Sequence, residues 1–228
     1  MKPKYRHELK YILSEDVARI LDLRLRAVMQ RDRHSISDDY SYFIRSLYFD
    51  TIDNDALAEK LDGVQFRKKY RLRFYNHNAS LIKLECKHKH GQMTFKEAVT
   101  VNQSWVKQVL SDPYNILVIK NERLDDQFMI DYRLQAYRPS VIVDYYRQAY
   151  VFEPLDVRIT LDYHVSSGVY NMDLFDSESV SVPVFEKNQV VLEIKFNEVL
   201  PDFVWGVLQT VPALRVAISK FAYCRNVL

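Results

Sequence analysis

A chain of 228 residues, 48% of them hydrophobic, is long enough for one sizeable core, and residues 1–228 read as a single domain. Its 32 basic and 30 acidic side chains leave a net charge of +2, which argues against nonspecific nucleic-acid binding and requires any strong field to come from local arrangement. Cys86 and Cys224 are few and far apart, the opening "MKPKYRHELKY" is too charged for a secretion signal, and no apolar run approaches membrane-spanning length. The expectation is a soluble, cytoplasmic protein; any association with the inner face of a membrane would run through a partner.

In chain order, "RHELKY" alternates with a period of two: Arg6, Glu8 and Lys10 oppose His7, Leu9 and Tyr11. Ser14 can cap a helix with Glu15 and Asp16 in its first turn and a stripe of Val17, Leu21, Leu25 and Val28. "SYFIRSLYFD" is a more evenly apolar strand carrying Arg45. In "RKKYRLRFY", Arg67, Lys69, Arg71, Arg73 and Tyr75 share one face, and Lys68, Tyr70, Leu72 and Phe74 the other. "NHNAS" has turn composition, and beyond it Lys83, Glu85, Lys87 and Lys89 oppose Ile82, Leu84 and Cys86, so the pair predicts a hairpin with one crowded cationic face. "QMTFKEAVTV" reads as a strand after a turn at Gly91, followed by helices in "NQSWVKQVLSD", ending before Pro113, and "DDQFMIDYRLQAYRP", ending near Pro139. Three more strands follow: "SVIVDYYRQAYV", with Val143, Tyr145 and Arg147 on one face; "DVRITLDYHV", with Arg158, Thr160, Asp162 and His164 together; and "VVLEIKF", with Glu193 and Lys195 together. "PDFVWGVLQTV" and "PALRVAISKFAYCRNVL" are predicted as closing helices, each opening on proline.

Helix stripes and apolar strand faces each need a partner, and helix on sheet satisfies both, so the expected class is α+β. About eight strands is near the number at which a sheet can close. The charged faces then point either to solvent or into the lumen of a barrel. Cations stacked on neighbouring strands repel when bare. An anion should offset them. Gly63, Gly91, Gly168 and Gly206 are scattered, without P-loop or Rossmann spacing, so bound phosphates would be held by side chains.

The segments "ELKY", "LYFDT", "KYRLRFYN", "LECKHKHG", "YRQAY", "VRITLD", "LEIKF" and "ISKF", in this order, resemble the VTC (vacuolar transporter chaperone) polyphosphate polymerase domain, of the triphosphate tunnel metalloenzyme or CYTH-like superfamily. The resemblance implies a closed antiparallel β-tunnel with helices outside, a basic lumen, Mn2+ or Mg2+, and ATP and polyphosphate or tripolyphosphate as ligands. It implies transfer of the γ-phosphate of ATP onto a polyphosphate chain. Carried over by position, Lys10, Arg71, Arg73, Lys87, Arg147 and Arg158 would bind phosphate, Glu193 would hold the metal, and Lys220 would lie near the reacting phosphate. Glu8 would either join Glu193 at the metal or pair with a neighbouring lysine. Arg6 stands where the wider superfamily often has the first glutamate of E-x-E-x-K, which suits one metal better than a two-metal hydrolase.

Other readings of the same residues stay open. Glu193 can be an ion pair with Lys195, and Lys220 an exposed helix residue. Cys86, His88 and His90 have no second ligand cluster with zinc spacing. Two further functions use the same lining: hydrolysis of tripolyphosphate or a nucleoside triphosphate, and noncatalytic polyphosphate binding.

Overall fold

The computed structural model describes residues 5–35, 41–111, 123–168 and 170–227. The elements run β1 (His7–Ser14), α1 (Glu15–Val28), β2 (Gln30–Arg31), β3 (Ser41–Asp50), α2 (Asp55–Leu61), β4 (Phe66–Tyr75), β5 (Asn78–His90), β6 (Met93–Val101), α3 (Gln103–Ser111), α4 (Arg123–Leu134) and β7 (Arg138–Phe152). Then come β8 (Val157–Gly168), β9 (Val182–Pro183), β10 (Gln189–Phe196), α5 (Asp202–Gln209), β11 (Leu214–Arg215) and α6 (Lys220–Arg225). Among the described residues no helix is long and apolar enough to cross a membrane.

All pairings are antiparallel, in the order β11-β1-β10-β8-β7-β3-β4-β5-β6, with β2 and β9 as two-residue additions beside β7 and β8. The sheet is strongly curved but does not close into a barrel, so the closed tunnel expected from the sequence is corrected to a curved sheet whose order begins at β11 and stops at β6. Among the described residues, Arg6, just before β1, and Thr94 of β6 form an isolated bridge whose two backbone hydrogen bonds measure 3.0 and 3.1 Å. Among the described residues this edge of the bore is spanned by an isolated pair and not by a continuous ladder, which leaves the sheet open there.

The long strands fall where alternation predicted them, because each has one apolar face to bury. On the convex side, Leu72, Leu84, Cys86 and Val99 pack under Trp105, Val106 and Val109 of α3 and Phe128 of α4. Leu13, Ile159, Leu161 and Leu192 pack under Leu21 and Leu25 of α1 and Leu208 of α5. Ser14 caps α1 by accepting from Val17 N at 3.3 Å. The β4–β5 turn is tighter than "NHNAS" suggested: Asn76 and His77 alone form it, at φ 51° and 54°, the positive pair that matches strand twist in a two-residue hairpin.

Three helical expectations need correction. α4 ends at Leu134, not near Pro139, because the residue preceding proline avoids helical angles and Arg138 already opens β7. α2 carries a helix where none was expected. The C-terminal run from Pro212 is helical only over Lys220–Arg225. Leu214 and Arg215 pair instead with Ile12 and Tyr11, and Val216 N donates to Lys10 O at 3.0 Å, so backbone bonds to β1 hold this stretch extended. The proline stop at Pro113 lies outside the described residues.

That extended stretch delivers α6 to the concave face, apart from the outer helices. Ile218, Phe221 and Cys224 join Ile44, Val143, Tyr145 and Val191 in a third core, with Ala56 of α2 beside them. One part of the inner face is thus apolar and covered; the remainder is cationic.

Candidate active site

The rest of the concave face encloses a cavity of about 840 Å³. Lys10, Arg71, Arg73, Lys87, Arg147, Arg158, Glu8, Glu193 and Lys220 all line it, so the structure brings every sequence-predicted site residue together. Alternation explains this: side chains at i, i+2 and i+4 of a strand share a face, and curvature turns those faces toward one axis.

Buried acids hold the arginines in place. Arg147 makes a two-point contact with Asp162, Nε donating to Oδ1 at 2.6 Å and NH2 to Oδ2 at 2.8 Å. Lys220 Nζ lies 2.6 Å from the same Oδ2, which ties α6 to the floor of the site. Burial alone would push the Asp162 carboxyl up, but Arg147 and Lys220 hold it below the usual carboxylate range. Arg71 repeats the arrangement on Glu85, with Nε donating at 2.7 Å, while Lys96 meets the other carboxylate oxygen. Glu85 is likewise held well below its ordinary range, burial being outweighed by Arg71, Arg73 and Lys96. Arg158 pairs with buried Asp32 at 2.5 Å.

Three tyrosines complete the lattice by accepting from arginines: Tyr48 from Arg71 at 2.8 Å, Tyr145 from Arg73 at 2.9 Å, and Tyr42 from Arg158 at 3.0 Å. Arg73 also donates to Ser46 at 2.9 Å. The Tyr145 ring lies beneath Arg147 and Lys220, each 5.1 Å from its centroid. These contacts fix the forks without using every N–H. NH1 of Arg147, for instance, makes no hydrogen bond among the described residues, leaving donors for a ligand.

The seam side of the cavity holds the carboxylates. Lys10 Nζ lies 3.5 Å from Glu8 and 3.6 Å from Glu193, and its hydrogen bond goes to Ile218 O at 3.0 Å. Lys87 bonds the second oxygen of Glu8, and Lys195 sits 3.0 Å from Glu193. Each glutamate thus has a lysine partner, and both line the same cavity. Glu8 Oε1 is buried without a hydrogen bond. No group of three or more His, Cys, Asp or Glu side chains is placed to hold a metal among the described residues. Two carboxylates, one with an open oxygen, fit Mg2+ or Mn2+ when phosphate oxygens and water supply the remaining positions. Cys86 is fully buried, while His88 faces Glu97 at 2.8 Å and His90 faces Tyr5 at 2.7 Å, so that trio does not converge.

Sequence reasoning missed the anchoring roles of Asp162 and Glu85. Alternation placed both acids on the cationic faces, but only register shows Asp162 opposite Arg147 and Glu85 opposite Arg71. It also missed Lys60, which lines the cavity from the unforeseen α2, and the tyrosines, whose acceptor role has no sequence signature.

Residues 5–228 match the VTC domain. No curated protein matches the chain by sequence. Among solved structures, a candidate adenylyl cyclase of Hippeastrum with a dominant triphosphatase activity is similar, with TM-score 0.59 and 15% identity, covering 97% of this chain and 95% of that one. A candidate adenylate cyclase of Bacillus halodurans is similar at TM-score 0.50 and 14% identity, over 90% of this chain and 88% of that one. At such identities these likenesses concern the fold alone. With its match extending over nearly the whole chain, the protein belongs to the VTC domain family.

Proposed function

We infer that the protein is a metal-dependent phosphotransferase that moves the γ-phosphate of ATP onto a polyphosphate chain inside the basic tunnel. The observation that carries this reading is the convergence of the alternate-face cations of β1, β4, β5, β7 and β8 on one cavity, with Lys220 anchored among them by Asp162. Phosphoryl transfer demands positioning and charge neutralisation more than covalent participation. Arg71, Arg73, Arg147 and Arg158 present planar donors suited to phosphate oxygens, and each charge-assisted hydrogen bond is worth about 1.5–3 kcal/mol net. Lys10 and Lys87 would add point charges along the chain. Lys220 would face the phosphate undergoing transfer, and its tie to Asp162 limits the ordering needed at that moment. Glu193 and Glu8 are the residues that would hold Mn2+ or Mg2+, and a metal bound there supplies charge neutralisation across adjoining phosphate oxygens.

Hydrolysis is the second reading, favoured by the triphosphatase activity of the Hippeastrum protein of like fold. Against it stands Arg6, a cavity-lining cation where an additional acid would serve a second metal. Incubating the purified protein with ATP and Mn2+ separates the readings. Long chains support polymerisation, free phosphate alone supports hydrolysis, and neither product leaves a binding module.

A further inference from the structure

Most cations around the reaction volume stand on an acid: Arg71 on Glu85, Arg147 and Lys220 on Asp162, Lys87 on Glu8. Lys69 does not. Its Nζ donates to Ser219 Oγ at 3.2 Å and lies 4.7 Å from the Phe221 ring centroid, and no carboxylate among the described residues forms an ion pair with it. It lines the cavity between Arg67 and Arg71 on the same strand face.

The groups around it are nearly all of its own sign. Lys10 faces it from β1, Lys60 from α2 and Arg67 from its own strand; Lys87 lies opposite on β5, and Lys220 follows the serine it touches. Among the described residues the acid that acts on it most is Asp50, at the end of β3. That carboxylate is spent on the backbone N–H groups of Thr51, Ala56 and Leu57, at 2.9, 2.8 and 3.2 Å. Burial first, and then these neighbouring cations, lower the Lys69 ammonium to about 7.

We propose that Lys69 is a further phosphate-contacting residue of the tunnel, and one through which chain binding draws in a proton. The inference rests on the phosphate-tunnel reading above. A phosphate in the cavity supplies the counter-charge that Lys69 lacks, so its charged form is favoured as the chain arrives. The arginines cannot respond in this way, since they remain protonated throughout. Phosphate affinity should therefore fall by up to tenfold per pH unit above about pH 7, the slope expected when one proton accompanies one ligand.

Isothermal titration with tripolyphosphate, in two buffers of different ionisation heat, tests this on the wild-type protein and Lys69→Arg. At about pH 8 the wild type should take up about one more proton per ligand than the variant, and at about pH 6 the two should agree. Lys69→Met, checked by thermal melting to be folded, should bind more weakly than wild type at the lower pH and match it more nearly at the higher. Equal proton uptake by wild type and Lys69→Arg at the higher pH overturns the Lys69 inference alone. Absence of binding heat in every protein contradicts the phosphate-tunnel reading and this inference with it.

Discussion

Asp162 and Glu85 show how a cationic cavity is made compatible with folding. Each lies beneath an arginine and a lysine and shares its charge between them, so the guanidinium groups are neutralised on their inner side and remain available on the other. A buried pair of this kind contributes little net stability, and its principal effect is geometric. Glu193 differs, because its lysine partners leave it facing the cavity beside Glu8. Glu193→Gln should therefore retain tripolyphosphate affinity within a few-fold and lose metal-dependent turnover. Titration of both proteins with Mn2+ in the ATP assay checks this, and full metal-dependent activity in the variant contradicts the metal role. At this scale the face of each strand-borne site residue was legible from alternation, while the acids beneath the arginines, and the placement of Lys220 on α6, were not. Alternation fixes parity along one strand, whereas the Arg147–Asp162 and Arg71–Glu85 pairs depend on the register between strands.

Strands were the most legible elements, because a half-buried strand writes its two faces into the sequence with period two. Short helices were the least. The segment after Pro212 has helix-forming residues, yet backbone bonds from β11 and Val216 to β1 keep it extended until Ser219. That tertiary constraint is invisible to local propensity, and it is what sets Lys220 over the cavity. Ser219 then caps α6 by accepting from Ala222 N at 3.4 Å while also receiving Lys69. Ser219→Ala should cost about 1 kcal/mol of stability, the usual value of a cap. Denaturant unfolding measures this; an unchanged midpoint would show that packing of Phe221 alone fixes the helix.

Across the whole molecule, the excess of lysines over acids in the cavity makes the unliganded protein sensitive to pH. Burial and neighbouring cations lower Lys69, Lys60, Lys89, Lys96 and Lys195 from the ordinary lysine value, so these groups bind fewer protons folded than unfolded. Stability should therefore rise with pH between about pH 7 and pH 8.5. Above that window Cys86 and Cys224, pushed by burial to about 12, act in the opposite direction, since they ionise only when unfolded. On the acid side Glu85 and Asp162 lie below their ordinary values, and the stability they contribute is lost as pH falls below about 4. Unfolding free energies of the ligand-free protein across the first window give the sign directly; a decline from pH 7 upward contradicts this charge balance.

The same imbalance makes thermal melting with tripolyphosphate the most direct test of the tunnel as a phosphate-chain site. At about 100 times its dissociation constant the ligand should add about 2.7 kcal/mol and raise Tm by roughly 5–10 °C, with Arg71→Ala abolishing the response. No shift in the wild type, with or without Mn2+, or an equal shift in Arg71→Ala, would contradict the account.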